Sequence, residues 1–468
     1  MPTRRAFLVG IASIAVAPLA AQTFDLVIAN GRVIDPESGL DAVRYIGISN
    51  GRLASITSDR LTGRTNIDAT GLVVCPGFID LHAHQQTPET HRYQARDGVT
   101  TAFELELGTG DIDAWYKARA TSLINHGVSI GHIPVRMAVM RDPGTSFPTA
   151  DAAHRAATTA EIGAMSQRIA EGLKKGAVSI GAGFAYTPAA KDEELLEIFQ
   201  IAARERVTVH VHTRRGMAGV EEVLRFAGQT GAPLHIVHIN STGGAATREV
   251  LQTVAAAQAR GVNVTTEAYP YDAGMTEIQS ANLDEYDGAS EQRVAELEWP
   301  RTGERLTPDT FQKYRKIGGP VVLHNNTEEM VALAVNSPLT MIASDSYWEN
   351  GTGHPRTTGT FSRVLGRYVR DARSLTLMDA IRKMTLMPAE RLAPRVPAMK
   401  TKGRLRQGAD ADVAIFDAAR VIDRSTYREP GLPPIGMRHV IVNGVTVVLN
   451  EQLVAGVAPG HAIRATTV

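Results

Sequence analysis

The run PGFIDLHAH, residues 76 to 84, ends in two imidazoles one residue apart, His82 and His84. Successive side chains of a strand alternate faces, so this spacing presents both rings on one side. Neutral imidazole suits Zn²⁺ and similar divalent ions, which take nitrogen, oxygen or sulfur donors in small numbers. Donors of the same kind close other β-rich runs: His212 in VTVHVHT, His238 in PLHIVHIN and Asp345 in LTMIASD. A cation held by such a set lowers the pKa of its water and polarises a carbonyl, and a neighbouring carboxylate can take the released proton. His210 and His235, just upstream of two of these histidines, read more simply as core residues satisfied within the sheet.

Such donors need elements that aim them at one point. The β-branched runs VTTAFELE, VSIGAG, VTVHVHT, PLHIVHIN, VNVTTEA and LTMIASD alternate with helical text such as AAHRAATTAEIGAMSQRIAEGLKKG and GVEEVLRFAGQTG. With GFIDLHAH and GHIPVRMAVM the strands number about eight. Strands alternating with helices imply βα units and a parallel sheet. The predicted fold is therefore α/β, a TIM-like (β/α)8 barrel over residues 76–395, in which catalytic groups sit at the C-terminal ends of strands. That is where the candidate donors stand. Residues 23–75 and 396–468 carry shorter β-rich runs with Asn-Gly turns, as in FDLVIANGRVIDPESG and RHVIVNGVTVVLN. These two distant segments are expected to pair as one small flanking β-sandwich domain. GASEQRVAELEWPRTGERLTPDT is the most polar connection and is expected at the surface.

At 468 residues, 43% hydrophobic and 21% charged, the chain has the composition of a soluble globular protein. Lys+Arg and Asp+Glu both number 49, so no net field favours nucleic acid or an anionic membrane surface, and a small-molecule partner is expected. The single cysteine, Cys75, excludes an intrachain disulfide and reads as a small buried hydrophobe. The opening MPTRRAFLVGIASIAVAPLAAQ has a basic start, an apolar run and small residues at Ala20 and Ala21, the layout of a secretory signal over residues 1–22. Arg4 and Arg5 resemble a twin-arginine signal. The run is short for a membrane span and is interrupted by Pro18. An exported, periplasmic protein with no membrane attachment in its mature form is expected, with an ordinary secretory signal or an uncleaved anchor as alternatives.

VVCPGFIDLHAH, followed by DGVTTAFE, HTR, HIN, ASD and GRLRQGADADVAIFD, resembles the amidohydrolase superfamily. Within it, KKGAVSIGAGFAYTP, EAYPYDAG, GHPRTTGTFSRVLGRYV and IRKMTLMPAERL resemble the N-acyl-D-amino-acid deacylases, or D-aminoacylases, from about Phe24 to about Arg464. The resemblance implies a metal-dependent barrel with a flanking β-sandwich that hydrolyses amide bonds of N-acylated D-amino acids. It implies His82 and His84 as ligands of one metal position, His212 and His238 as ligands of the other, and Asp345 as a metal contact and general base. Zn²⁺ is the expected cofactor, as one or two ions, with other divalent metals acceptable. Arg356 matches the arginine that holds the substrate carboxylate, for which a guanidinium fork is well shaped. Tyr186 and Tyr271 match tyrosines lining the substrate pocket, with His354 nearby. Packing or loop hydrogen bonding is the alternative role for all four.

Three departures from the family stand out. The deacylases carry a bridging cysteine at the end of strand two, in a Gly-Asn-Cys-Gly context, where this chain reads TTAFELELG. Glu104 and Glu106 share a face there, and Glu106, nearer the strand end, is the expected bridging carboxylate, with Glu104 the alternative. A carbamylated lysine would need Lys174 or Lys175, both at the wrong strand end. Carboxylate in place of thiolate lowers selectivity for zinc and suits a two-metal site. Asn240 stands where the deacylases have a lysine, which removes a cation and bears on preference for acidic substrates. The connection between EAYPYDAG and LTMIASD, about 65 residues, is shorter than the region that acts as a lid in the family.

The sequence thus points to a metal-dependent hydrolase of N-acyl-D-amino acids or related N-acyl amino acids. A dipeptidase or a cyclic-amide hydrolase shares the same machinery, since fold does not fix substrate. A barrel that has lost catalysis and only binds is the third reading, and the complete donor set speaks against it.

Overall fold

A computed structural model of the chain describes residues 23–214 and 216–466; the expected export signal, residues 1–22, lies outside the described residues. Eight parallel strands form the central sheet: β1 (Phe78–Asp80), β2 (Val99–Thr109), β3 (Asn125–Gly131), β4 (Ile180–Gly183), β5 (Val209–His212), β6 (Leu234–Ile236), β7 (Val264–Ala268) and β8 (Thr340–Ile342). Each pairs with its sequence neighbour from β1 to β8. The seam between the first and last closes just beyond both strands, where Ala83 bridges Ser346 in parallel and His84 N donates to Ser346 O at 3.1 Å. Ser344 N adds a bond to Asp80 Oδ1 at 3.0 Å. The sheet therefore forms a nearly closed barrel.

The strands are rich in β-branched residues because those side chains pack well on a pleated surface buried on both faces. Val209, Val211, Leu234 and Ile236 are fully buried against the surrounding helices. The helices carry their own start signals. Thr158 caps Thr159–Lys174 in a capping box with Glu161, and Thr87 caps Pro88–Arg96, where proline in the first turn needs no N–H partner. No helix among the described residues is long and apolar enough to cross a membrane.

One predicted strand is a helix. GHIPVRMAVM supplies helix His132–Met140, and the third barrel strand is the preceding Asn125–Gly131. Pro134 sits in the first turn of that helix, where it costs no intrahelical bond, and the apolar run buries Ile133, Val135, Met137 and Met140 rather than alternating. A second expectation is also corrected. The polar connection after β7 is not a plain surface loop: Gly274–Glu277, Leu297–Trp299, Glu304–Arg305 and Pro320–Leu323 form a four-stranded sheet. Leu283, Tyr286, Val294, Leu297, Phe311 and Val321 give it a core of its own. Its buried residues are spaced between charges, so local composition hid them.

The two chain ends meet in one nine-stranded sheet beside the barrel. Val73–Pro76 runs parallel to Thr23–Asp35 and antiparallel to Val413–Phe416, with Cys75 opposite Ala414. Cys75 is fully buried, and burial pushes its thiol pKa upward, as suits an inert hydrophobe. A buried charge pair ties this sheet to the barrel: Lys402 Nζ lies 2.5 Å from Asp412 Oδ2, which also accepts from Asn125 Nδ2 on β3 at 3.1 Å. Pairing of this kind offsets the cost of burying charge.

Candidate metal centre

All the donors singled out in the sequence arrive at the C-terminal mouth of the barrel. His82 and His84 follow β1, Glu104 and Glu106 lie on β2, His212 ends β5, and His238 and Asp345 stand just beyond β6 and β8. His238 (φ 32°) and Asp345 (φ 50°) both adopt left-handed backbone conformations, uncommon outside glycine. The chain turns sharply off the strand at each and aims the side chain at the barrel axis. Non-glycine residues held in this region concentrate at functional sites.

Two donor groups result. His82, His84, Glu106 and Asp345 form one; Glu106, His212 and His238 form the other, with ligand atoms inside each group within 4.8 Å of one another. Glu106 belongs to both. Its Oε2 faces His82 Nε2 at 2.5 Å and its Oε1 faces His212 Nδ1 at 2.8 Å. Glu104 does something else: it holds His84 Nδ1 at 2.9 Å. The reason the two glutamates diverge lies in the register of β2. Glu104 pairs with Val128, but the next paired residue is Thr109, opposite Ile130, so β2 carries extra residues in a bulge that re-aims its side chains. Lys175 is at the surface on Asp113, far from this mouth.

The donor chemistry fits a cation. Glu267 Oε1 lies 2.6 Å from His82 Nδ1, and Glu104 binds His84 Nδ1. Carboxylates only accept, so each ring carries its hydrogen on Nδ1 and presents a lone pair at Nε2. Those two Nε2 atoms are 3.1 Å apart and lie 3.4 and 3.3 Å from Asp345 Oδ1, with Glu106 Oε2 beside them. Four lone pairs converge on one point, an arrangement that repels itself unless positive charge sits among them. Burial opposes protonating His82, yet Asp345, Glu106 and Glu267 outweigh it and push its pKa up to about 10, a measure of how strongly this field favours positive charge. Burial and the nearby His212 lower His238 to about 4, so that ring stays neutral and free to ligate. Thr242 backs its Nδ1 at 3.4 Å.

Asp345 is polarised between two environments. Oδ1 faces the histidines, while Oδ2 lies 2.9 Å from Arg356 Nη2. Burial works against its charge, but Arg356 and His82 hold its carboxyl well below the usual carboxylate range. Arg356 is itself buried and stacked 4.6 Å over the Tyr269 ring. It pairs with Asp345 and is not among the residues lining the cavity above the donors.

That cavity, about 290 Å³, has His84, Glu106, His212, His238 and Asp345 in its floor and Phe147, Tyr186, Tyr269, Met275 and Tyr347 in its walls. Tyr186 stands where expected, packed 4.2 Å from Phe147 and accepting from Thr276 at 3.2 Å. Tyr271 and His354 do not reach the cavity. Tyr271 donates to Asp423 Oδ2 at 3.2 Å, and His354 Nε2 bonds Ala273 O at 3.0 Å, both behind the wall. β7 ends at Ala268, and beyond it Tyr269, not Tyr271, lines the cavity. Asn240 is buried and donates to Tyr269 O at 3.4 Å. Asn282 and Arg293 reach the cavity from the inserted four-stranded unit.

Sequence reasoning missed Glu267, which binds His82 on one side and His235 Nε2 at 3.0 Å on the other. A glutamate inside a barrel strand, in VTTEA, was the available signal.

The sequence pattern of the amidohydrolase family matches residues 137–448. N-acyl-D-glutamate deacylase of Alcaligenes xylosoxydans xylosoxydans is 30% identical over 95% of this chain and 97% of its own. D-aminoacylase of the same organism is 29% identical over 95% and 99%. Among solved structures, N-acyl-D-glutamate deacylase from Bordetella bronchiseptica, complexed with zinc and a phosphonate inhibitor mimicking the tetrahedral intermediate, superposes with a TM-score of 0.81 at 28% identity, over 95% of this chain and 100% of that one.

Proposed function

The chain belongs to the amidohydrolase family, and from that membership we propose that it is a metal-dependent hydrolase of linear amides acting on N-acyl-D-amino acids. The observation that carries the reading is Glu106, one carboxylate facing two donor groups in the floor of a cavity of small-molecule size. A divalent cation held there, zinc being a good match to histidine and carboxylate donors, supplies a lowered water pKa and polarises the amide carbonyl. The chain's own groups do the rest. Asp345, kept ionised by Arg356 and His82, takes the proton from the attacking water and returns it to the leaving amine. Glu267 and Glu104 fix the rings of His82 and His84 so that Nε2 of each faces the donor cluster. The aromatic wall of Phe147, Tyr186, Tyr269 and Tyr347 shields the reacting amide from bulk water and seats the acyl group. The basic pair and apolar run in residues 1–22 support export to the periplasm as part of the same reading.

The test is release of free amino acid from a panel of N-acetyl-D- and N-acetyl-L-amino acids by metal-loaded protein. Turnover of D-isomers is expected. Turnover confined to L-isomers or to cyclic amides overturns the deacylase reading and leaves the hydrolase standing. Activity indifferent to chelation, in protein holding no stoichiometric divalent ion, overturns the metal.

A further inference from the structure

A second cavity, about 360 Å³, opens at the opposite end of the barrel, where the strands begin. Thr208, which lines it, immediately precedes β5, whose last residue His212 stands in the metal centre, four positions and about 13 Å away at the rise of a parallel strand. Its charged lining is Arg206, Arg382, Arg391 and Arg395 against a single acid, Glu390. Among the described residues none of the four arginines makes an ion pair. Arg391 is anchored, donating from Nη1 to Asn263 Oδ1 at 2.6 Å and from Nη2 to Leu234 O at 2.8 Å. Arg395 is only 8% exposed, and its buried Nε and Nη1 have no hydrogen-bond partner. A buried guanidinium without a counter-charge is costly, and its fork geometry matches a carboxylate. The rest of the wall is apolar: Val178, Met341, Met387 and Leu392. That wall and the cavity's size exceed what a bare inorganic anion needs.

We propose that this cavity binds a small organic carboxylate with an apolar body, the carboxylate on Arg395 with Arg382 and Arg206 at the rim, and the body against Val178, Met341 and Leu392. The site is independent of the hydrolytic reading, since it shares no residue with the metal centre.

Calorimetric titration of metal-loaded, full-length protein with hexanoate, hexanamide and inorganic phosphate tests it. Hexanoate is expected to bind at one site per chain, with hexanamide and phosphate at least tenfold weaker. Arg395→Met should weaken hexanoate tenfold or more while turnover of an N-acetyl-D-amino acid stays within twofold, and Asp345→Asn should still bind hexanoate. If Arg395→Met does not fold, Arg382→Met, at the exposed rim, is expected to weaken binding severalfold. Hexanamide binding as tightly as hexanoate, phosphate binding more tightly, or hexanoate binding unchanged in the arginine variants overturns the proposal.

Discussion

Glu267 Oε1 stands 2.6 Å from His82 Nδ1, although the two residues are 185 positions apart in the chain. The contact fixes which nitrogen of His82 carries hydrogen and which is left for a metal. Burial disfavours the Glu267 carboxylate, but His82 and His235 hold it ionised, near a pKa of about 2. Glu267→Gln keeps the size of the side chain and removes the charge. The variant should lose about 10- to 100-fold in metal affinity or activity, the range typical of such outer partners. Chelator competition against wild type measures it, and equal metal affinity would remove Glu267 from this role.

Asp345→Asn should lower kcat by about 10²- to 10⁴-fold, the usual contribution of a positioned acid–base group, while much of the metal stays bound. The pair of measurements matters: loss of activity with loss of metal shows only a ligand. Near-normal turnover would exclude Asp345 as the general base.

The two glutamates of β2 are separable by metal content. Glu106→Gln removes the carboxylate shared by both groups and should drop bound metal by one equivalent or more. Glu104→Gln leaves both groups of donors intact and should retain the wild-type stoichiometry with weaker affinity. Elemental analysis of the two purified variants reads the difference directly, and the reverse ranking would reassign the bridge.

Two buried histidines outside both donor groups set an acid limit on stability. Burial lowers His91 to about 3 and, more than the opposing bond to Ile124 O, lowers His126 to about 4. Their unfolded pKa is about 6.5, so the unfolded chain binds more protons between these values, and stability falls as pH drops from about 6.5 toward 3. His91→Gln should flatten that dependence. Thermal unfolding of chelated wild type and variant at pH 7.5 and pH 5 checks it, and parallel losses in the two would exclude the histidine.

The inserted four-stranded unit can be tested by its core. Phe311 is fully buried there, and Phe311→Ala should cost about 3–5 kcal/mol of local stability. Because Asn282 and Arg293 of this unit reach the cavity, the expected kinetic sign is a raised KM with metal content unchanged. An unaltered KM would separate the unit from substrate binding.

Much of this was legible in the sequence, and the reasons are local. An i, i+2 histidine pair at a strand end, three further donors at other strand ends, and strands alternating with amphipathic helices are patterns written over a few residues, governed by the periods of strand and helix. They were enough for the barrel, for the meeting of His82, His84, His212 and His238 at its mouth and for the union of the chain ends. GHIPVRMAVM misled because a short apolar run with proline fits a strand or the first turns of a buried helix equally well, and only its neighbours decide.

Tertiary structure decided what depends on register and rotation. Glu104 and Glu106 share a strand face, but the bulge in β2 before Thr109 gives one to His84 and the other to the space between two donor groups. Arg356 turns to Asp345, and Tyr269 rather than Tyr271 lines the cavity beyond the end of β7 at Ala268. Donor types and their periodic placement are properties of neighbouring residues. Which donor meets which is a property of strands brought together from across the chain, and no local period encodes it.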